Sequence, residues 1–202
     1  TLEIFKKNKE KTNGNLFRSD FIKNFISLIP NKSKVISTTG YTSRELMELR
    51  KKFNLNKGKD FYMVGGMGHA SSVAAGYALN SKKQVFCLDG DGSILMHLGS
   101  LRTSGYLKNN NFKHIILNNN SHESVGGQST NAKGINFRQL SYSVGYKKYF
   151  QITNLIGIKG NIKKFIKSKG PSLLEVKIRN GSLKNQSRPK NLIKIKEKFM
   201  IN

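Results

Sequence analysis

The chain has 202 residues, 37% of them hydrophobic, enough for one sizeable core and too few for two full domains. Its 36 Lys and Arg against 11 Asp and Glu leave a net charge of +25, and its single cysteine, Cys87, excludes an internal disulfide and a cysteine-built metal site. The lysines are spread over the whole chain, with no zinc-finger spacing and no aromatic RNA-binding signature. The charge therefore points to compositional drift and a small anionic ligand, with no nucleic-acid partner. No apolar run approaches the ~20 residues of a membrane span, and no signal peptide is visible. The expected compartment is the cytoplasm, with no membrane partner.

The chain opens on Thr1, and residues 6–14 are basic and polar. Residues 1–18 are expected to be a linker or the end of a missing N-terminal domain. Phe21, Ile22, Phe25, Ile26 and Ile29 have helical spacing, and Pro30 stops that helix. Residues 35–39 are β-branched and read as a strand. Thr42-Ser43-Arg44-Glu45 matches a capping box and should open a helix carrying Leu46, Leu49 and Phe53. Residues 61–64 form the next strand, Gly65-Gly66-Met67-Gly68 a loop, and residues 70–79 a helix of small side chains.

A third strand spans 84–89 and ends in Gly90-Asp91-Gly92. A helix over 94–104 and a fourth strand over 114–117 follow. A polar loop then runs from Asn118 to about Gly134. A short helix is expected over 137–144, a strand over 149–152, a helix over 162–168 and a strand over 173–178. The alternation predicts an α/β fold: a mostly parallel sheet of about six strands with helices on both faces. One domain is expected over 19–180, with a basic C-terminal tail over 181–202 that ends in a helix or stays mobile.

In open sheets of this kind, ligands sit beyond the carboxyl ends of the strands. Three loops leave strand ends with unusual chemistry: 65–69, 90–93 and 118–130. In Gly90-Asp91-Gly92-Ser93, two glycines allow close backbone approach to a ligand, and the following helix favours an anion such as phosphate. A carboxylate beside a phosphate is repulsive unless a cation bridges them, and Mg2+ takes such mixed oxygen ligands. One helix and one strand later comes Asn118-Asn119-Asn120. Asp91 and Asn119 should then lie at adjacent strand ends and share one cation.

Gly90-Asp91-Gly92 spaced from Asn118-Asn119 resembles the cofactor motif of the thiamine-diphosphate-dependent enzymes. The resemblance implies Mg2+ held by Asp91, Asn119 and the backbone carbonyl of Ser121. Gly90, Gly92 and Ser93 would meet the diphosphate. Gly65-Gly66-Met67-Gly68-His69 resembles the family's loop around the aminopyrimidine ring. There the Gly65 carbonyl accepts from the ring amine, and Met67 is the wedge that bends the cofactor. The segments STTGYTSREL, GGMGHASSVAAGYAL, LDGDGSILMHLGSL and LNNNSHESVGGQST narrow the resemblance to the phosphonopyruvate decarboxylases, with the sulfopyruvate decarboxylase β subunits close by. It covers about residues 21–178. One departure is Asn120, where relatives often carry glycine; asparagine tolerates left-handed backbone angles.

The resemblance implies thiamine diphosphate and Mg2+ as cofactors and a nonoxidative decarboxylation in which 3-phosphonopyruvate, a small anionic 2-oxo acid, is the substrate. His69, His122 and Glu123 lie on the converging loops and are candidates for the catalytic groups. Gln128 and Arg44 are further candidates for substrate contact. His97 should pack on the helix after the Gly90 turn, and His114 should be structural. In this family a glutamate on a pyrimidine-binding domain activates the cofactor. That domain or subunit is the expected partner, in a homo- or hetero-oligomer, and without it this chain should be inactive. Two rival readings are a basic nucleic-acid-binding module and an NAD-binding oxidoreductase domain. The second rests on Gly66, Gly68 and Ser71 after a strand, with Asp89 ending the next one.

Overall fold

The computed structural model describes residues 15–201, so residues 1–14 of the expected linker lie outside the described part. The element order is α1 (Arg18–Leu28), β1 (Lys34–Ser37), α2 (Tyr41–Lys52), β2 (Lys59–Tyr62), α3 (Ala70–Leu79), β3 (Val85–Gly90) and α4 (Asp91–Met96). There follow α5 (Gly99–Tyr106), β4 (Phe112–Asn118), α6 (Phe137–Ser143), β5 (Lys148–Ile152), α7 (Ile158–Lys167), β6 (Ser172–Lys177) and α8 (Leu192–Met200). The six strands form one sheet in the order β2-β1-β3-β4-β6-β5, and every pairing is parallel. This is the expected α/β sheet with helices on both faces.

The central strands explain themselves chemically. All seven residues of β4 and the first five of β3 are buried, because helices cover both faces and leave no wet side to alternate toward. On one face α1, α2 and α7 bury Phe21, Phe25, Leu46 and Phe165 against Phe86, Ile115 and Leu174. On the other, Ala70, Ala74, Ala75 and Ala78 let α3 lie close to the sheet, beside Leu101 of α5 and Phe137 of α6. Cys87 and His114 are paired across β3 and β4, and the Cys87, Asp89 and His114 side chains converge in the core. There His114 bonds the Tyr146 hydroxyl at 2.8 Å and Asp89 at 3.4 Å, the structural place expected of it.

Three local expectations are corrected. Thr42 does not cap α2: the N-cap position is Gly40, at φ +80°, and no side chain caps it. Ser43 turns inward to the Thr38 carbonyl, and Glu45 turns inward to Arg18. The helix expected over 94–104 is two helices, α4 and α5, broken at His97 and Leu98. His97 is exposed at the break, with its ring 4.9 Å from that of His69. In the tail, α8 is formed and lies against the β2 edge, where Phe199 is buried and Lys34 donates to the Phe199 and Ile201 carbonyls.

Lys113 is buried in β4, its ammonium facing Ser168 and Ser172. Burial lowers its pKa to about 8, against about 10.4 in an unfolded chain. Between those values the unfolded chain binds the extra proton, so stability rises with pH across that window. Other buried groups titrate in the same range, so the test is a difference: between pH 8 and pH 10 in urea denaturation, stability should change less favourably with rising pH in Lys113→Met than in the wild type. Identical pH slopes in the two proteins would contradict the assignment.

Candidate active site

The strand order reverses between β1 and β3, since β2 lies on one side and β4 on the other. Such a switch point leaves a crevice at the carboxyl edge of the sheet. The cleft found there is narrow, about 70 Å3, and polar. Its walls come from the end of β1 (Thr38, Thr39), from Gly90–Ser93 after β3, and from Asn119–Val125 after β4, with Met67 and Arg18 at the sides.

Asp91 sits at the start of α4 and is only 2% exposed. Burial raises its pKa, opposed by the Thr130 hydroxyl, by the backbone N–H groups of Asn119 and Asp91, and by nearby His122. The loops after β3 and β4 therefore meet at this carboxylate. A buried carboxylate whose charge is still disfavoured despite these donors suits a bound cation. Asn119 lies at the end of β4; its Oδ1 accepts from the Ser121 N–H at 3.1 Å, and its Nδ2 donates to Glu123 at 3.3 Å. That turn keeps residues 119–121 folded over Asp91.

Gly92 has no room for a side chain: a Cβ would lie 2.4 Å from His122 Cε1 and 2.7 Å from Thr130 Cγ2. The missing side chain lets the His122 ring close over the turn. Ser93 ties the loops together, with its hydroxyl 2.9 Å from Thr38 Oγ1 and 3.0 Å from the Gly68 N–H. The Gly65–Gly68 loop, which follows β2, is thereby fastened to the turn after β3. Gly65 takes φ +74° and Gly68 φ +88°, the left-handed angles that favour glycine.

Of the residues singled out from the sequence, Met67, Gly90, Asp91, Gly92, Ser93, Asn119, Ser121, His122 and Glu123 line one cleft. Gly68 is held against it through Ser93, while Gly65 and Gly66 lie further out on the same loop. His69 is exposed beside His97 and does not line the cleft. Gln128 is exposed as well, though its backbone carbonyl accepts from the His122 N–H at 2.8 Å and folds the loop.

Sequence reasoning missed Thr38, Thr130, Arg18 and Glu45. Arg18 donates to Glu45 at 3.2 Å and to Glu123 at 2.6 Å, joining α1, α2 and the loop after β4 beneath the cleft. Glu45 is fully buried, and burial pushes its carboxyl up, against the opposing pull of Arg18. No local pattern marks these pairings, which span 27 and 105 positions.

Residues 38–176 match the family model for the thiamine pyrophosphate enzyme C-terminal TPP-binding domain. The chain belongs to the thiamine pyrophosphate enzymes. Their cofactor is thiamine diphosphate, with Mg2+ as its usual partner, and the relatives among them are decarboxylases. A phosphonopyruvate decarboxylase from Streptomyces viridochromogenes is 37% identical over 84% of this chain and 41% of its own length. The chain thus spans about two fifths of that relative. Sulfopyruvate decarboxylase β subunits are 34% identical in Methanothermobacter thermautotrophicus, over 73% of this chain and 75% of the subunit. The one from Methanococcus maripaludis is 30% identical, over 92% of this chain and 96% of the subunit. An X-ray structure from Mycobacterium smegmatis, described as a thiamin diphosphate-dependent enzyme, superposes with a TM-score of 0.66 at 17% identity. It covers 82% of this chain and 32% of that one, a likeness of fold.

As a thiamine pyrophosphate enzyme domain the chain departs from the NAD-binding arrangement. Its Gly66/Gly68 loop follows the edge strand β2, and β1 separates β2 from β3. Asp89 ends β3 buried, bonded to the Gly90 N–H and His114, where it cannot reach a ribose. Among the described residues no helix is long and apolar enough to cross a membrane.

Proposed function

We propose that this chain supplies the diphosphate and Mg2+ side of a 2-oxo-acid decarboxylase that converts 3-phosphonopyruvate to phosphonoacetaldehyde and CO2. The observation that carries the reading is the buried Asp91 carboxylate, met by the Asn119 backbone at the switch-point cleft. Asp91, the Asn119 side-chain oxygen and the Ser121 carbonyl would hold Mg2+. Gly90, Gly92 and Ser93 would face the diphosphate, with Gly65, Gly66, Met67 and Gly68 along the ring portion. When bound, thiamine diphosphate supplies the electron sink for the pair released as CO2 departs.

The chain's own residues do the rest. Met67 and the closed Gly92 turn narrow the cleft and exclude water. His122 lines it, and it holds the proton that takes the place of CO2 on carbon. Glu123 already accepts from Arg18, Asn119 and the Gly181 N–H, so it orients the Asn119 amide. His69 stands at the exposed rim, where a second domain would meet this one.

The partner in this reading is a pyrimidine-binding domain or subunit carrying the activating glutamate. A second reading, the β subunit of a sulfopyruvate decarboxylase, is favoured by the β-subunit relatives matched over most of their length. The test combines this chain with a pyrimidine-binding domain or subunit of the family and follows CO2 release from each acid. We expect Mg2+-dependent release with both halves present and none from this chain alone. Turnover by the isolated chain, or release from neither acid, would refute the proposal.

A further inference from the structure

A second cavity of about 280 Å3 adjoins the cofactor cleft and is roomier than it. The two share Thr39, Met67, Ser124 and Val125 as a common wall. Gly40 makes the junction tight: a Cβ there would lie 2.8 Å from Ser124 Oγ. The outer wall carries two guanidinium groups and no carboxylate: Arg44 from the first turn of α2, and Arg188 from the segment that precedes α8.

The charges of the neighbourhood are unevenly matched. Arg18 is bound to Glu45 and Glu123, and Arg50 to Asp60 at 2.6 Å. Glu48 accepts from Ser187 at 2.7 Å and lies 3.7 Å from Lys51. Every nearby acid is therefore occupied. Among the described residues Arg44 and Arg188 have no ion pair; Arg44 stacks on the Tyr41 ring at 5.4 Å, which steadies its plane. The Ser187–Glu48 bond fastens the chain beside Arg188 to α2, and Asn191 then caps α8 through the Lys194 N–H. Two guanidiniums without an ion pair at the mouth of a pocket, Arg44 half-buried on Tyr41 and Arg188 exposed, suit a tetrahedral oxyanion, which accepts forked hydrogen bonds.

We propose that Arg44 and Arg188 form the subsite for the acid group on C3 of the substrate, a phosphonate or a sulfonate. This rests on the decarboxylase reading of the adjoining cleft. The acid group would then lie beyond Met67 and Ser124, with the 2-oxo end toward the ring portion of the cofactor beside Met67. Arg188 then gives the basic C-terminal segment a part in substrate choice.

The test uses the complete enzyme, with its pyrimidine-binding half, as wild type, Arg44→Gln, Arg188→Gln and Arg44→Lys. Two readouts are kept apart. The first is calorimetric binding of phosphonoacetate and of sulfoacetate, with thiamine diphosphate and Mg2+ present. The second is kcat/KM with phosphonopyruvate or sulfopyruvate as substrate, each relative to pyruvate, which lacks the acid group. Each Gln variant should weaken anion binding and lower that ratio by about 10- to 100-fold, mainly by raising KM. Arg44→Lys should recover part of both, and the affinity for thiamine diphosphate should stay within about 3-fold of wild type. Whichever acid loses more identifies the native group. Anion binding by the wild type that both Gln variants leave intact would overturn the subsite, as would a wild type that binds neither anion. If the wild type binds the anions through these arginines yet turns over neither acid, the decarboxylase reading fails and the subsite stands.

Discussion

Asp91→Asn should abolish Mg2+-dependent binding of thiamine diphosphate, weakening it by at least about 100-fold, while the apo fold is kept. The carboxylate is buried, and burial already disfavours its charge. The amide keeps the shape and can still accept from Thr130, so little packing is lost. What disappears is the negative oxygen that would face the proposed divalent cation. Calorimetric titration with thiamine diphosphate in Mg2+, beside thermal melting, separates the two effects. Unchanged affinity would remove Asp91 from the metal site. A large drop in melting temperature would mean that the carboxylate serves the fold instead.

Arg18→Met should destabilise the chain by about 3–5 kcal/mol in urea denaturation. The guanidinium is almost fully buried between Glu45 and Glu123. Without it two carboxylates face each other out of water, and one of them, Glu45, already has a buried oxygen with no partner. Adding Glu45→Gln to Arg18→Met should recover part of the loss, because it removes the worse of the stranded charges. A double variant no more stable than the single one would show that packing of the Arg18 stem, and not charge, sets the cost. Cofactor affinity should fall with the single variant too, since Glu123 positions the Asn119 amide.

The sheet is legible in the sequence because its strands are short runs of apolar and aromatic residues separated by helical periodicity. Residues 85–89 and 112–118 are buried throughout, so their mostly apolar runs need not alternate. The meeting of Asp91 with Asn119 is legible for a related reason: one crossover between parallel strands makes them neighbours, and neighbours share an edge. The capping box fails because the Thr42–Glu45 pattern says nothing about which way Glu45 turns. An arginine 27 positions earlier decides that. The break at His97 is equally hidden, since apolar residues continue on both sides of it. Thr130 reaches Asp91 only because the loop folds back on itself, through the bridge between Ser121 and Ser129.

The start of α1 is stitched to the exit of the last strand. The Arg179 N–H donates to the Leu16 carbonyl at 2.9 Å, and Arg18, two residues on, already lines the cleft. The exit of β6 and the entry to α1 therefore hold the Arg18 side of the cleft together. A change at the Leu16–Arg179 contact should then be felt across the molecule, at the wall that Arg18 contributes to the cleft.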